Sequence, residues 1–190
     1  MQQANPGRGG LGGGSSNAAT TLLALNQLWQ LRLPQSQLLA LGASLGADVP
    51  VFIAGHSAWA EGVGEVLSAV ELPSRWYLII VPGCQIPTRE IFSDRELTRD
   101  TAPITIAAFF QGTSRNDCEQ VAVRLYPEVG EALAWLGQFA EPRLTGTGAC
   151  IFAAFDSETQ ARQIGAMVPA RWRAIVAQGV NQSPVQKALC

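Results

Sequence analysis

The sequence predicts an α+β chain whose second half is a ferredoxin-like α/β sandwich. Three observations carry that expectation. From Trp76 onward, short apolar runs alternate with helical segments. Near the start, a run of glycines empties directly into an amphipathic helical pattern. And the 190 residues are 47% hydrophobic and only 15% charged, which supports a sizeable core and excludes disorder of the whole chain.

The elements follow in order. Gly7-Arg8-Gly9-Gly10-Leu11-Gly12-Gly13-Gly14 is too flexible for helix or strand. Ser15-Ser16-Asn17 offers N-cap chemistry, and Ala18 to Trp29 is helical, with Leu22, Leu25, Leu28 and Trp29 on one face. Pro34 breaks that helix, Ser36 can cap a second from Gln37 to Leu45, and Gly46 ends it. Asp48 then stands inside the apolar segment Ala47–Ile53. Val63 to Leu72 reads as one or two strands, and Trp76 to Val81 as a buried strand. Thr88 to Phe92 begins a helix, and helices are expected at Ile104–Phe110, Asp117–Leu125 and Val129–Phe139. A small-residue loop, Arg143 to Cys150, precedes a strand at Ile151–Phe155. Ser157 caps a helix reaching about Met167, and Trp172 to Ala177 is the last strand.

Composition narrows the function. A net charge of −2 argues against a broad basic surface for nucleic acid or an anionic membrane. No apolar run approaches the roughly 20 residues of a membrane-spanning helix. The cysteines, Cys84, Cys118, Cys150 and Cys190, lie too far apart for a Cys-x-x-Cys site, and the single histidine is His56. Reduced thiols in a cytoplasmic protein fit best. Among 13 cationic residues only Lys187 is a lysine, so lysine chemistry near the start is excluded.

A glycine loop leading into a helix N-terminus presents unpaired N–H groups, and the helix dipole favours negative charge, so phosphate is its natural guest. A Walker loop needs Gly-Lys-Ser/Thr and is excluded by the missing lysine. Gly7, Gly9 and Gly12 match Gly-x-Gly-x-x-Gly by letter. Yet no strand precedes them and no acidic residue lies about 20 positions on, as dinucleotide binding requires.

A longer signature fits better. Pro6-Gly7-Arg8-Gly9-Gly10-Leu11-Gly12-Gly13-Gly14-Ser15-Ser16-Asn17-Ala18-Ala19-Thr20 resembles the ATP-binding loop of the GHMP kinases. Five further stretches support the likeness in order: Leu45 to Phe52, Ala60 to Glu65, Ile86-Pro87-Thr88, Ser114 to Cys118 with Asn116-Asp117, and Arg143 to Cys150. The likeness is greatest to the branch that moves the γ-phosphoryl of ATP to a hydroxyl of a cytidine-diphosphate-linked methylerythritol, in the non-mevalonate route to isoprenoids.

The resemblance implies a two-domain fold: residues 1–70 from the family's N-terminal ATP-binding domain and 71–190 as its C-terminal domain. It implies that Pro6 to Ser16 wrap the ATP phosphates and that Asp48 is the catalytic aspartate. Phe92 would stack on the cytosine, with Thr88 a nearby substrate contact. The Thr145–Gly148 loop would pack against the phosphate loop. ATP and Mg²⁺ are the implied cofactor set, with Ser15 or Ser16 as a possible hydroxyl ligand or, on the residues alone, a helix cap. From the residues alone, Asp48 reads equally as a turn cap and as a functional carboxylate, since a charge in an apolar run is costly to bury without partners. On the residues alone, Phe92 reads more commonly as a core residue of an amphipathic helix. His56 is expected to be structural or exposed, and Glu61 and Glu65 solvated.

The family also places a lysine-bearing strand, an adenine pocket and further cytosine contacts before the phosphate loop, and none of them matches here. The expectation is a chain that starts part-way into the first domain. Apolar faces at Leu22, Leu25, Trp29, Leu38 and Leu41 should then be partly uncovered. The competing readings are a non-catalytic nucleotide- or partner-binding module and a GHMP kinase for another small alcohol.

Overall fold

The computed structural model describes residues 10–112 and 114–189. Pro6, Gly7, Arg8 and Gly9 of the glycine loop lie outside the described residues. In chain order the elements are α1 (Gly13–Leu28), α2 (Gln35–Leu45), α3 (Val49–Ala54), β1 (Ala58–Glu61), β2 (Val66–Ala69), β3 (Trp76–Val81), α4 (Thr88–Ser93), α5 (Ile106–Phe110), α6 (Cys118–Leu125), α7 (Pro127–Leu136), β4 (Arg143–Leu144), β5 (Ile151–Phe155), α8 (Glu158–Gly165), β6 (Arg173–Gln178) and α9 (Pro184–Leu189). They form two compact units. Among the described residues, one comprises Gly10, Leu11 and Ser74–Gly179, the other Gly12–Pro73 and residues 180–189.

The Ser74–Gly179 unit has the ferredoxin-like βαββαβ plan. Its sheet order is β4-β5-β3-β6, antiparallel throughout. β3 is central and pairs with both β5 and β6, which is why it reads as a nearly continuous apolar run. Leu78 and Ile80 of β3 and Ile151 of β5 are fully buried, joined by Val129 and Leu136 of α7 and Ala161 of α8. β4 was not foreseen. It is two residues long and holds register only because Arg143 and Leu144 face Phe152 and Ile151. Ser157 caps α8 as expected, its Oγ accepting from Gln160 N at 3.2 Å.

Glu128, in the first turn of α7, ties this unit together. It accepts from Gly83 N at 2.9 Å, Cys84 N at 3.1 Å and Trp172 Nε1 at 3.1 Å. Those bonds, the Gly83 N–H foremost, hold its carboxyl below the ordinary carboxylate range. A depressed folded pKa makes this contribution full above the unfolded value, and it vanishes as pH falls through the folded one. Glu128→Gln is therefore expected to lower stability at neutral pH by about 1–3 kcal/mol. In urea unfolding the gap from wild type should narrow by about pH 3, and a gap independent of pH would count against this account.

In the other unit, α1, α2 and α3 pack around Ala19, Leu38, Val49 and Ile53. β1 and β2 form a separate antiparallel hairpin. Its strands flank a turn at residues 62–65, so the strand pair begins earlier than Val63 and ends before Leu72. Helix α1 starts at Gly13, not Ala18. Its N-cap is Gly12, whose φ of 66° is left-handed and suits glycine. Ser15 and Ser16 are thus inside the first turn and do not cap it. Likewise α2 starts at Gln35 with Pro34 at the N-cap position, leaving Ser36 inside the helix.

Leu38 is buried at 5%, against the expectation for it, because it faces α3. Leu22 and Leu25 are half-buried, while Trp29 and Leu41 are 65% and 45% exposed. The segment at residues 180–189 joins this unit through backbone ties that no local pattern announces. Asn181 exchanges hydrogen bonds with the backbone of Leu72, 2.8 and 3.0 Å. Gln186 Nε2 donates to Ile53 O and Ala54 O, capping the end of α3.

Candidate functional site

The head of α1 is the first feature. Ser16 N donates to Gly12 O at 2.8 Å, the first intrahelical bond of its kind. The N–H groups of Gly13, Gly14 and Ser15 therefore have no acceptor within the helix. The first turn carries no acidic side chain to neutralise the positive dipole end. A Cβ on Gly14 would meet nothing within 4 Å, so the turn is open at Gly14. Together these are the requirements for holding an anion. Ser15 and Ser16 are half-buried in the same turn, and Ser16 O accepts from Thr20 Oγ1 at 2.8 Å.

Asp48 belongs to the same unit. It occupies the N-cap position of α3, in a tight turn closed by Val49 N donating to Gly46 O at 3.1 Å. Its side chain makes no capping hydrogen bond. It is exposed, which corrects the idea of a charge threatened with burial. The apolar run folds as a helix that buries Val49, Pro50, Ile53 and Ala54 and leaves the carboxylate outside. One turn on, about 6 Å along the axis, comes Phe52. A Cβ on Gly12 would lie 2.9 Å from the Phe52 ring. Helix α3 thus packs against the head of α1 through the Phe52 ring, with Asp48 one turn back toward the start of α3.

The other unit holds the remaining candidates. Gly10 has φ 73° and packs on the Thr145 backbone: a Cβ there would fall on Thr145 O and lie 2.6 Å from Thr145 Oγ1. The Thr145–Gly148 loop thus backs the described start of the glycine run, as the resemblance implied. That loop is internally braced. Gly148 N donates to Thr145 O at 2.7 Å, and Thr145 N donates to Cys150 O at 2.9 Å. Gly146 and Gly148 both have positive φ.

Helix α4 carries Thr88 and Phe92. Phe92 is 56% exposed beside the fully buried Ile91, which removes the core reading for Phe92. Thr88 Oγ1 lies 3.2 Å from the hydroxyl of the buried Thr147, so α4 touches the glycine-rich loop directly. Arg99 fixes the other end of α4, donating to Phe92 O at 2.7 Å, Asp94 O and Leu97 O. Tyr126 OH donates to Glu90 Oε2 at 2.6 Å. None of these supports was foreseen, because each joins residues through backbone carbonyls or over long sequence separations.

The other sequence candidates have structural explanations. Glu65 accepts from Val63 N at 2.7 Å within the hairpin turn. His56 is exposed and lies beside Ser57 O. Among the described residues no group of three or more His, Cys, Asp or Glu side chains could hold a metal ion. Burial pushes the Cys84 and Cys150 thiols up to about 11, which makes them unreactive. No helix among the described residues is long and apolar enough to cross a membrane.

Comparison with known proteins places these features in context. Residues 2–56 match the model of the GHMP kinases N terminal domain, and residues 100–174 that of the GHMP kinases C terminal. A protein of Nitrosococcus oceani named 4-diphosphocytidyl-2-C-methyl-D-erythritol kinase is 57% identical over 178 residues, covering 94% of this chain. The chain spans 60–65% of the length of the curated relatives it matches. A crystal structure of 4-(cytidine 5'-diphospho)-2C-methyl-D-erythritol kinase superposes with a TM-score of 0.79 at 32% identity, covering 92% of this chain and 68% of that one. A homoserine kinase from Cytophaga hutchinsonii shares the fold, with a TM-score of 0.59 at 18% identity, over 95% of this chain and 69% of that one.

Proposed function

The chain belongs to the GHMP kinase family, and from that premise we propose that it serves the ATP-dependent phosphorylation of a hydroxyl of 4-diphosphocytidyl-2-C-methyl-D-erythritol. The observation that carries this reading is the pairing of an open, uncapped helix N-terminus at Gly13–Ser15 with an unencumbered carboxylate at Asp48 on the neighbouring helix. Phosphoryl transfer asks the protein mainly for a phosphate cradle and an oriented nucleophile, and these are its minimum parts.

In this reading Pro6, Gly7, Arg8, Gly9, Gly10, Leu11, Gly12, Gly13, Gly14, Ser15 and Ser16 wrap the ATP phosphates. Asp48 accepts the proton of the attacking hydroxyl. The hydroxyl oxygen forms its bond to the γ-phosphorus as the bond to the ADP oxygen breaks. Phe92 supplies a flat, exposed ring for the cytosine, and Thr88 a hydroxyl beside it. Mg²⁺, which offsets phosphate charge, needs few protein oxygens and would take a hydroxyl of Ser15 or Ser16. The cell's cytoplasm, where ATP and reduced thiols are available, is the proposed location.

The test is direct. The purified 190-residue chain is incubated with ATP and a panel holding the cytidine-linked alcohol, homoserine and mevalonate, and phosphorylated products are identified by mass spectrometry. Product from the cytidine-linked alcohol alone supports the proposal. Preference for an uncytidylated alcohol overturns the substrate. ATP binding without transfer to any of them points to a non-catalytic nucleotide-binding module.

A further inference from the structure

The Ser114–Cys118 stretch has no role in the reading above, yet one of its side chains is saturated with purposeful bonds. Asn116 Nδ2 donates to Gly146 O at 2.7 Å and to Leu144 O at 3.2 Å. Its Oδ1 accepts from Cys118 N at 3.0 Å, at the start of α6. One amide thus joins the head of α6 to the glycine-rich loop, 28 and 30 residues away. Glu119, one turn along, accepts from Leu144 N at 3.3 Å. The two side chains grip both sides of the Leu144 peptide backbone.

The grip adds an outside tie to a segment otherwise held by its own backbone bonds. Gly146 and Gly148 have left-handed backbones, and glycine carries the largest conformational entropy to lose on ordering. Thr145 lies between the gripped carbonyls of Leu144 and Gly146, and its own carbonyl is where Gly10 packs. A shift of Thr145 therefore moves the floor under Gly10.

We infer that Asn116 is a positioning residue for phosphate binding: it locks the Leu144–Gly146 backbone so that Thr145 supports the loop at Gly10. The inference rests on the kinase reading. It adds that the nucleotide side of the site depends on Asn116 more than the alcohol side does, because α4 meets the loop through Thr88 alone and is also held by Arg99 and Tyr126.

Asn116→Asp tests it in the full chain. Aspartate keeps the shape and the acceptor for Cys118 N, but turns an anionic oxygen toward the two carbonyls. Asn116→Ala simply removes the bonds. Binding of ATP and of the cytidine-linked alcohol is measured by calorimetry, and amide hydrogen exchange is followed along the chain. The expected result is a roughly tenfold weaker Kd for ATP, less than about twofold for the alcohol, the scale of one lost or opposed hydrogen bond. Exchange should rise at Leu144–Gly148 while Trp76–Val81 stays protected.

Unchanged ATP affinity in a folded variant overturns the inference. So does equal weakening toward both ligands, which marks a general structural role. If the wild-type chain itself binds no ATP, the kinase reading has failed, and exchange alone judges the clamp: selective loss supports it, unchanged protection overturns it. If neither variant folds, Glu119→Gln acts on the same peptide at Leu144 N and should show the same split on a smaller scale.

Discussion

Replacing Asp48 with asparagine should lower phosphoryl-transfer turnover by about 10²–10⁴-fold, the usual contribution of a positioned general base. Asparagine preserves the size of the side chain and cannot take the proton. Stability should hold within about 0.5 kcal/mol, since the carboxylate makes no capping bond whose loss would be felt. ATP affinity should hold, because Asp48 is not among the residues proposed to wrap the phosphates. That pattern isolates chemistry from folding and from nucleotide binding. Steady-state kinetics beside a thermal melt and an ATP titration check it. Turnover within about threefold of wild type would remove Asp48 from the mechanism.

The second large effect concerns two glycines four residues apart. Gly10→Ala forces an L side chain into left-handed backbone and puts its Cβ on the Thr145 carbonyl. The strain and the crowding together cost roughly 2–4 kcal/mol. If the loop yields rather than the fold, ATP binding weakens by roughly 30- to 700-fold. Gly14→Ala is the contrast. Its Cβ meets nothing within 4 Å, and the position is helical, so the melt should shift upward by the equivalent of about 0.5–1 kcal/mol. ATP titration and thermal melts of both variants decide the matter. A Gly10→Ala chain binding ATP as well as wild type would show that the loop at Gly10 carries no phosphate.

Several features were legible because the residue pattern alone sets them. β3 announced itself as a six-residue apolar run because both its edges are paired and its faces are largely covered. Ser157 was readable as a cap because capping is a three-residue event. The approach of the Thr145 loop to the glycine run came from family likeness, and no spacing rule would have yielded it. The start of α1 was misplaced because serine is the better cap by propensity, while Gly12 holds the position by packing under Phe52.

By itself the sequence determined the family, the ferredoxin-like half, and the residue types available for phosphate and proton chemistry. These depend on local order along the chain: glycines before a helix, an aspartate before a short apolar helix, strands alternating with helices. Tertiary structure alone decided that Asp48 is exposed and unbonded, that Phe92 is a surface ring rather than a core residue, and that Asn116 grips a loop 30 residues away. It also decided that the segment at residues 180–189 belongs with Gly12–Pro73. The reason is the same in each case. A hydrogen bond or a burial between distant segments is fixed by where the chain returns to itself, and that information is spread over the whole fold.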